Sequence, residues 1–405
     1  MKIPITRDFD WGLFTSWLLL VVLGIIAIYS ASTIKIEDEI TSVGFYWKQT
    51  IFFFVSLFFI FLILKIPASI LDVFIYPTFF IILSCLILVL FMPPINNAHR
   101  WLLIFGVRFQ PSEFAKVVLI LVCAKIMAKE NISNFRMVVQ PLFFMLFPLV
   151  LILRQPDLGT AIVLFVVYFV MLIQAGYPLF YLFLIMTPLI SMFTSFYVPI
   201  FIVFALSLIF FLWKNKFTIH FITLIMVINL FVLFITPVLW GSLKPYQQNR
   251  ILTFIDPSRD PLNAGYQIIQ AKIAIGSGQV FGKGFLEGSQ KNMNFLPEHH
   301  TDFIFSVISE EFGFIGSMAL IILFIYFFFR IIKCIFKSEI RERRIAMAGC
   351  LGFLFFQVFI NIGMNVGLMP TTGIPLPFIS YGGSNLLASS IAVGLVLKYS
   401  QEKDL

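Results

Sequence analysis

Uncharged apolar runs long enough to cross a bilayer recur along this chain, and they constrain its fold more than any other feature. A spanning helix needs roughly 17–25 predominantly apolar residues. Trp11–Ile34, Leu158–Tyr197, Phe217–Leu243, Phe312–Phe329 and Ile345–Thr372 all supply such stretches. Backbone polar groups must be paired internally in hydrocarbon, so repeated runs of this kind fold as a bundle of helices. Composition agrees. The chain is 60% hydrophobic and 12% charged, and Phe alone occurs 52 times. Its mean hydropathy is +1.00, outside the range of an ordinary soluble domain. The expected fold class is all-α: a polytopic integral membrane protein of about 12 transmembrane helices, with no soluble domain of useful size.

The apolar pattern places spans near 12–32, 48–65, 72–92, 112–129, 138–153 and 158–175, then 178–196, 199–213, 218–240, 304–330, 346–366 and 384–399. The first run is long and lacks a small-residue cleavage site on its flank, so it is expected to be retained. The formal charge of +8 is carried largely in short loops, at Lys125, Lys129 and Arg136, at Lys214 and Lys216, and from Arg330 to Arg344. That distribution follows the positive-inside rule and puts both termini in the cytoplasm, with no call for nucleic acid as a partner. Four scattered cysteines show neither CxxC pairing nor metal-ligand spacing, so no disulfide framework or structural zinc is expected.

The unusual loops lie on the opposite face. One runs from Met92 to Phe109, a second fills about 241–303, and a third runs from Gly367 to Ser384. Gly and Pro at such density specify turns, and long loops in a compact protein are commonly functional. Gly276-Ser-Gly278 and Gly282-Lys-Gly284 match no phosphate-binding fingerprint and read as tight turns.

The strongest site candidate is Asp302, in Leu296-Pro-Glu-His-His-Thr-Asp302-Phe-Ile-Phe305 at the mouth of an apolar span. Read as a helix from about Thr301, the segment puts Asp302, Ser306, Ser309, Glu310 and Gly313 on one side, a polar stripe that must line a cavity or pack on protein. Asp302 is a helix N-cap on the plain reading and a general base on the functional one, with His300 beside it. Glu113 and Lys116, at i,i+3 inside an apolar helix, read either as an interfacial ion pair or as a buried pair lining a cavity. Asp157 caps the following helix and can face the same cavity, as can Arg154. Four histidines cannot gather a side-chain metal site here. A divalent cation, Mg²⁺ or Mn²⁺, is expected only as a bridge between a carboxylate and a substrate phosphate.

Several stretches together resemble the SEDS family (shape, elongation, division and sporulation). They are His99-Arg100-Trp101, Gln110-Pro-Ser-Glu-Phe-Ala-Lys116, Gln155-Pro-Asp-Leu-Gly-Thr160, Asp260-Pro-Leu-Asn-Ala-Gly-Tyr-Gln267, Leu296 to Phe305, Glu310-Glu-Phe-Gly313 and Pro375 to Ser384. They span nearly the whole chain in the family's order. The resemblance implies a single transmembrane domain over 1–405, a large extracytoplasmic loop at 241–303, and a site on the outer face of a bacterial cytoplasmic membrane. It implies a peptidoglycan glycosyltransferase that polymerises lipid II into glycan strands, in the elongation branch, beside a class B penicillin-binding protein as transpeptidase. The family's essential acid falls on Asp302, its intramembrane acid and lysine on Glu113 and Lys116, and its Pro-Asp-Leu-Gly aspartate on Asp157. Arg250 and Lys283 are expected diphosphate partners, argued from charge and loop position. No organic cofactor is expected. Apolar sequence at 197–240 is a probable addition of two helices to the family's ten. A lipid-precursor flippase and a non-catalytic scaffold are the rival readings, since intramembrane charges also suit a translocation path.

Overall fold

The computed structural model describes residues 9–36, 39–42, 44–94, 99–104, 106–131, 135–243, 248–249, 252–254, 256, 264–288 and 300–402. Helices α1 (Trp11–Ala31), α2 (Phe45–Lys65), α3 (Ala68–Val89), α4 (Pro111–Lys129), α5 (Arg136–Arg154) and α6 (Leu158–Gln174) form the first half. Then come α7 (Leu179–Thr194), α8 (Val198–Lys214), α9 (Ile219–Ser242) and the shorter α10 (Ala264–Ser277). Helices α11 (Ile304–Lys337), α12 (Arg341–Asn365) and α13 (Gly383–Tyr399) complete the chain. Two small antiparallel hairpins, Thr33–Ile36 with Glu39–Ser42 and Leu102–Ile104 with Val107–Phe109, lie between helices.

Each apolar segment expected from the sequence is a helix. By length and composition, α1, α2, α3, α5, α9, α11 and α12 are able to cross a membrane, and α6, α7 and α8 are shorter apolar helices. Local chemistry sets several starts. The Asp10 carboxylate accepts from the Leu13 N–H at 2.8 Å to cap α1, and Pro111 opens α4, where its missing N–H costs nothing.

Helix α12 is the centre of the bundle. It packs on α4, α6 and α11, and 72% of its apolar window is buried, against 17% for α3 and for α9. Helices α7, α8 and α9 pack chiefly on one another. They share a small core of Leu184, Leu208, Leu212 and Ile222, separate from the main one. A polar knot ties α7 to α9 there. Buried Asn229 accepts from the Ser191 hydroxyl at 2.5 Å and donates to Thr187 Oγ1 at 3.2 Å.

Two features of the 264–315 region go beyond the sequence reading. Gly276 and Ser277 close helix α10, which packs on α11 and α12, and the turn begins only at Gly278. Helix α11 is broken at Gly313 (φ 64°, ψ −161°), and the chain after α10 threads the break. The amides of Lys283 and Gly284 donate to the carbonyls of Glu310 and Glu311, each at 3.0 Å. Those of Phe314 and Ile315 donate to Gln279 and Val280 at 2.8 and 3.1 Å. Backbone groups freed by the kink are thereby paired inside protein. Gly282 sits so close that a Cβ there would meet Glu311 O at 2.1 Å.

Candidate active site

Asp302 does not belong to the helix that follows it. Helix α11 starts at Ile304 with Phe303 at the N-cap, whose side chain makes no capping bond. Asp302 lies in the preceding turn, and its backbone is held from two directions. The Tyr381 amide donates to His300 O at 3.0 Å, and the Ser380 hydroxyl to Thr301 O at 2.6 Å. Asn361 and Asn365 of α12 both donate to Asp302 O, at 2.9 and 3.1 Å. Asn361 also donates to Ile374 O at 2.9 Å, so one amide joins both loops. Three consecutive carbonyls are thus fixed by side chains and amides of α12 and the loop before α13. Gly373, at φ 72°, lies beside the carboxylate, where an added Cβ would come 3.5 Å from Asp302 Oδ2.

A cavity of about 220 Å³ opens beside this turn, lined by Asp302, Glu113, Lys116, Asp157 and Arg100 among others. The site brings together four of the eight side chains that the sequence nominates. Glu113 and Lys116 are both almost fully buried and form an ion pair at 2.8 Å. The ammonium also lies 4.7 Å from the centre of the Phe353 ring on α12, which helps offset its desolvation. Asp157 caps α6, accepting from the Thr160 N–H at 3.2 Å and the Thr160 hydroxyl at 2.9 Å. Ser112 and Gln110 donate at 3.4 and 3.3 Å to Oδ2, the oxygen that also takes the Thr160 hydroxyl, while Oδ1 takes the Thr160 N–H, so capping and cavity-lining are one role seen from two sides. The Arg100 guanidinium binds Gln155 O at 3.0 Å and also Pro156 O, bracing the α5–α6 turn.

The other nominees stand apart. Lys283 does not line the cavity and pairs with buried Glu310 at 2.6 Å, so its charge is committed to the α11 break. His300 also lies off the lining, its ring stacked on Phe45 at 4.6 Å. Arg154 is exposed and off the cavity, and Arg250 lies outside the described residues. Most of the polar stripe on α11 packs on protein. The Ser306 hydroxyl donates to Asn365 Oδ1 at 2.5 Å, and Ser317 to Ser309 at 2.8 Å. Burial raises the Tyr381 phenol above its ordinary range, partly offset by Arg108, so this cavity residue is a neutral hydroxyl at pH 7.

Among the described residues no three His, Cys, Asp or Glu side chains gather as a metal site, and all four cysteines are free. The carboxylates present fit a cation only if a ligand phosphate supplies the remaining oxygens.

Sequence reading did not nominate Gln357, Asn361, Asn365 or Asn385. The signal was there in part: with Phe353, the first three recur every fourth residue along α12 and so share one helical face. Polar groups repeated on one face of a spanning helix seldom meet lipid.

The family described as cell cycle proteins, of the FtsW, RodA and SpoVE type, matches residues 10–202 and 200–405. The chain belongs to this family. It is 32% identical to the peptidoglycan glycosyltransferase RodA of Treponema pallidum, over 98% of each chain. It is also 32% identical to the probable peptidoglycan glycosyltransferase FtsW of Wigglesworthia glossinidia brevipalpis, over 96% of this chain and 93% of that one. A solved structure described as the structural coordination of polymerization and crosslinking by a peptidoglycan synthase complex superposes with a TM-score of 0.72. That match has 29% identity and covers 97% of this chain and 98% of the other. As a member of the family, the chain is a multi-pass membrane glycosyltransferase of peptidoglycan synthesis.

Proposed function

We propose that the protein polymerises lipid II at the outer face of the bacterial cytoplasmic membrane, with Asp302 as general base. The observation that carries this reading is a carboxylate on a turn pinned at three consecutive carbonyls, facing a cavity that reaches buried Glu113 and Lys116. A base must hold hydrogen-bond geometry to the hydroxyl it deprotonates, and pinning the backbone keeps that geometry before substrate arrives.

In the proposed reaction the 4-hydroxyl of an acceptor GlcNAc attacks the anomeric carbon of the growing chain. The hydroxyl proton passes to Asp302 as the new C–O bond forms. The bond from the anomeric carbon to the phosphate oxygen breaks, and undecaprenyl pyrophosphate leaves with the electron pair. Inversion at that carbon gives the β-1,4 link. If a divalent cation, Mg²⁺ or Mn²⁺, binds, a cavity carboxylate other than the base would hold it together with substrate phosphate oxygens, and it would neutralise charge on the leaving group. Glu113, Lys116 and Asp157 shape the inner wall, where they contact the bound sugar and hold the mouths of α4 and α6 in register.

We assign the protein to the elongation branch and to partnership with a class B penicillin-binding protein. The resemblance of its motifs supports the branch, and the likeness to a synthase complex supports the partnership. Both termini are assigned to the cytoplasm, supported by the arginines that open α12 and by Lys398 at the end of α13. The test is the conversion of purified lipid II to glycan strands by the solubilised protein, with and without that partner. Strands support the reading. Their absence under both conditions, with Mg²⁺ and Mn²⁺ supplied, contradicts it and favours lipid translocation.

A further inference from the structure

Two side chains of the cavity wall have no role in the account so far, and they are chemically complementary. Gln357 on α12 is 1% exposed, and its Oε1 has no hydrogen-bond partner. Asn385, in the first turn of α13, is 7% exposed, and its Nδ2 likewise has none. Both line the cavity that holds Asp302. The Asn385 amide is oriented from behind, because the Ser389 hydroxyl donates to its Oδ1 at 3.0 Å. Buried polar atoms are nearly always paired, and an unpaired one costs about 1–3 kcal/mol. Leaving one acceptor and one donor open to the same cavity suits a ligand that carries the opposite pair.

Charge decides which ligand group that is. Among the described residues the lining holds Arg100 and Lys116 against Glu113, Asp157 and Asp302, two cations to three carboxylates, formally −1. The open Gln357 Oε1 is itself an acceptor and offers no proton to a phosphate oxygen, so the diphosphate belongs elsewhere in the site. The volume of about 220 Å³ falls below the roughly 300–1,000 Å³ of common small-ligand pockets, room for one ring and its substituent. Val163 and Ile374 supply apolar wall in the same space. Acceptor, donor and apolar seat together match the N–H, C=O and CH₃ of an acetamido group.

We infer that Gln357 and Asn385 read the 2-acetamido group of an N-acetylated sugar in the substrate, and so set specificity for N-acetylhexosamine over plain hexose. The Gln357 Oε1 accepts the acetamido N–H, Asn385 Nδ2 donates to its carbonyl, and the methyl meets Val163 and Ile374. A single hydroxyl in its place leaves one wall group unpaired and the apolar seat empty. This inference rests on the proposed glycosyltransferase reading.

The experiment compares polymerisation of lipid II with that of analogues bearing a 2-hydroxyl in place of the 2-acetamido group on one sugar or the other. The native protein is expected to prefer the acetylated substrate, for at least one of the two positions, by on the order of 100-fold in kcat/KM. Gln357→Met, similar in size and without the acceptor, is expected to bring that ratio to within a few-fold. Asn385→Asp, which keeps the acceptor for Ser389 and loses the donor, should act in the same direction. A merely structural role slows both substrates alike and leaves the ratio standing. Native discrimination that both variants retain overturns the inference while polymerisation itself upholds the enzyme reading. A native protein that polymerises nothing removes that reading, and the inference with it.

Discussion

The side-chain amide of Asn361 donates to the main-chain carbonyl of Asp302 at 2.9 Å, joining the most buried spanning helix to the turn that carries the proposed base. Asn365, one turn further along α12, donates to the same oxygen at 3.1 Å. Neither amide touches the Asp302 carboxylate in these contacts; they fix where its backbone sits. Both act through Asp302 as positioning residues.

Asn361→Ala or Asn365→Ala should therefore lower kcat by about 100-fold, the cost of a displacement of order 1 Å at a reacting group, while KM changes only a few-fold. In an Asp302→Ala background neither substitution should cost further rate, since nothing is left to position. Steady-state kinetics on the four variants of such a cycle checks this. Equal losses in both backgrounds would show that the asparagines act elsewhere.

The ion pair of Glu113 and Lys116 predicts an asymmetry in stability. Lys116→Met strands a buried carboxylate and should destabilise by about 3–5 kcal/mol, whereas Glu113→Gln combined with Lys116→Met should recover much of that loss. Thermal unfolding in detergent reads the order of the variants. A double variant less stable than either single one would contradict a self-contained buried pair.

At the α11 break, Gly313 occupies a region of backbone space reserved for glycine (φ 64°, ψ −161°), and a Cβ there would lie 2.3 Å from the Gly282 amide nitrogen. Gly313→Ala should cost more than the roughly 1–3 kcal/mol of backbone strain alone. It should also release the 278–284 segment that threads the kink. Limited proteolysis should then cut that segment faster than in the native protein. An unchanged rate of cutting would mean that the break persists without glycine.

The α7–α9 cluster has its own small core and its own polar knot, so Asn229→Leu should leave polymerisation at the native rate. Its effect on stability should be modest, since intramembrane hydrogen bonds average about 0.6 kcal/mol and reach about 1.7. Glycan-strand synthesis and thermal unfolding, measured on one preparation, check both halves. A collapse of synthesis in a folded variant would give this outer cluster a part in the reaction.

What the sequence discloses follows from which forces act locally. Apolar runs report the helices because lipid demands them, and all twelve appear where they are expected, with α11 running seven residues further, to Lys337. The grouping of Asp302, Glu113, Lys116 and Asp157 was also legible, because charges in such runs need company. Helix α10 and the α11 break were not. The break depends on pairing between Lys283-Gly284 and Glu310-Glu311 and α10 on packing against α11 and α12, long-range matches that no local pattern encodes. Lys283 shows the same limit from the other side, since its charge faces Glu310 rather than the cavity. Gln357, Asn361 and Asn365 lie inside an apolar run, where hydropathy averages them away and only their shared face betrays them.

In the proposed reaction the Asp302 carboxylate takes the acceptor's proton. Asp302→Asn keeps the side chain's size and removes its basicity, and the backbone contacts of His300, Thr301 and Asp302 do not depend on it. The direct measurement is single-turnover conversion of purified lipid II to glycan strands by the native protein and by Asp302→Asn, each with the partner penicillin-binding protein bound. Native synthesis with a loss of at least about 100-fold in the variant, the low end of what a general base supplies, is the predicted result. Equal rates from two folded, partner-bound proteins would contradict it.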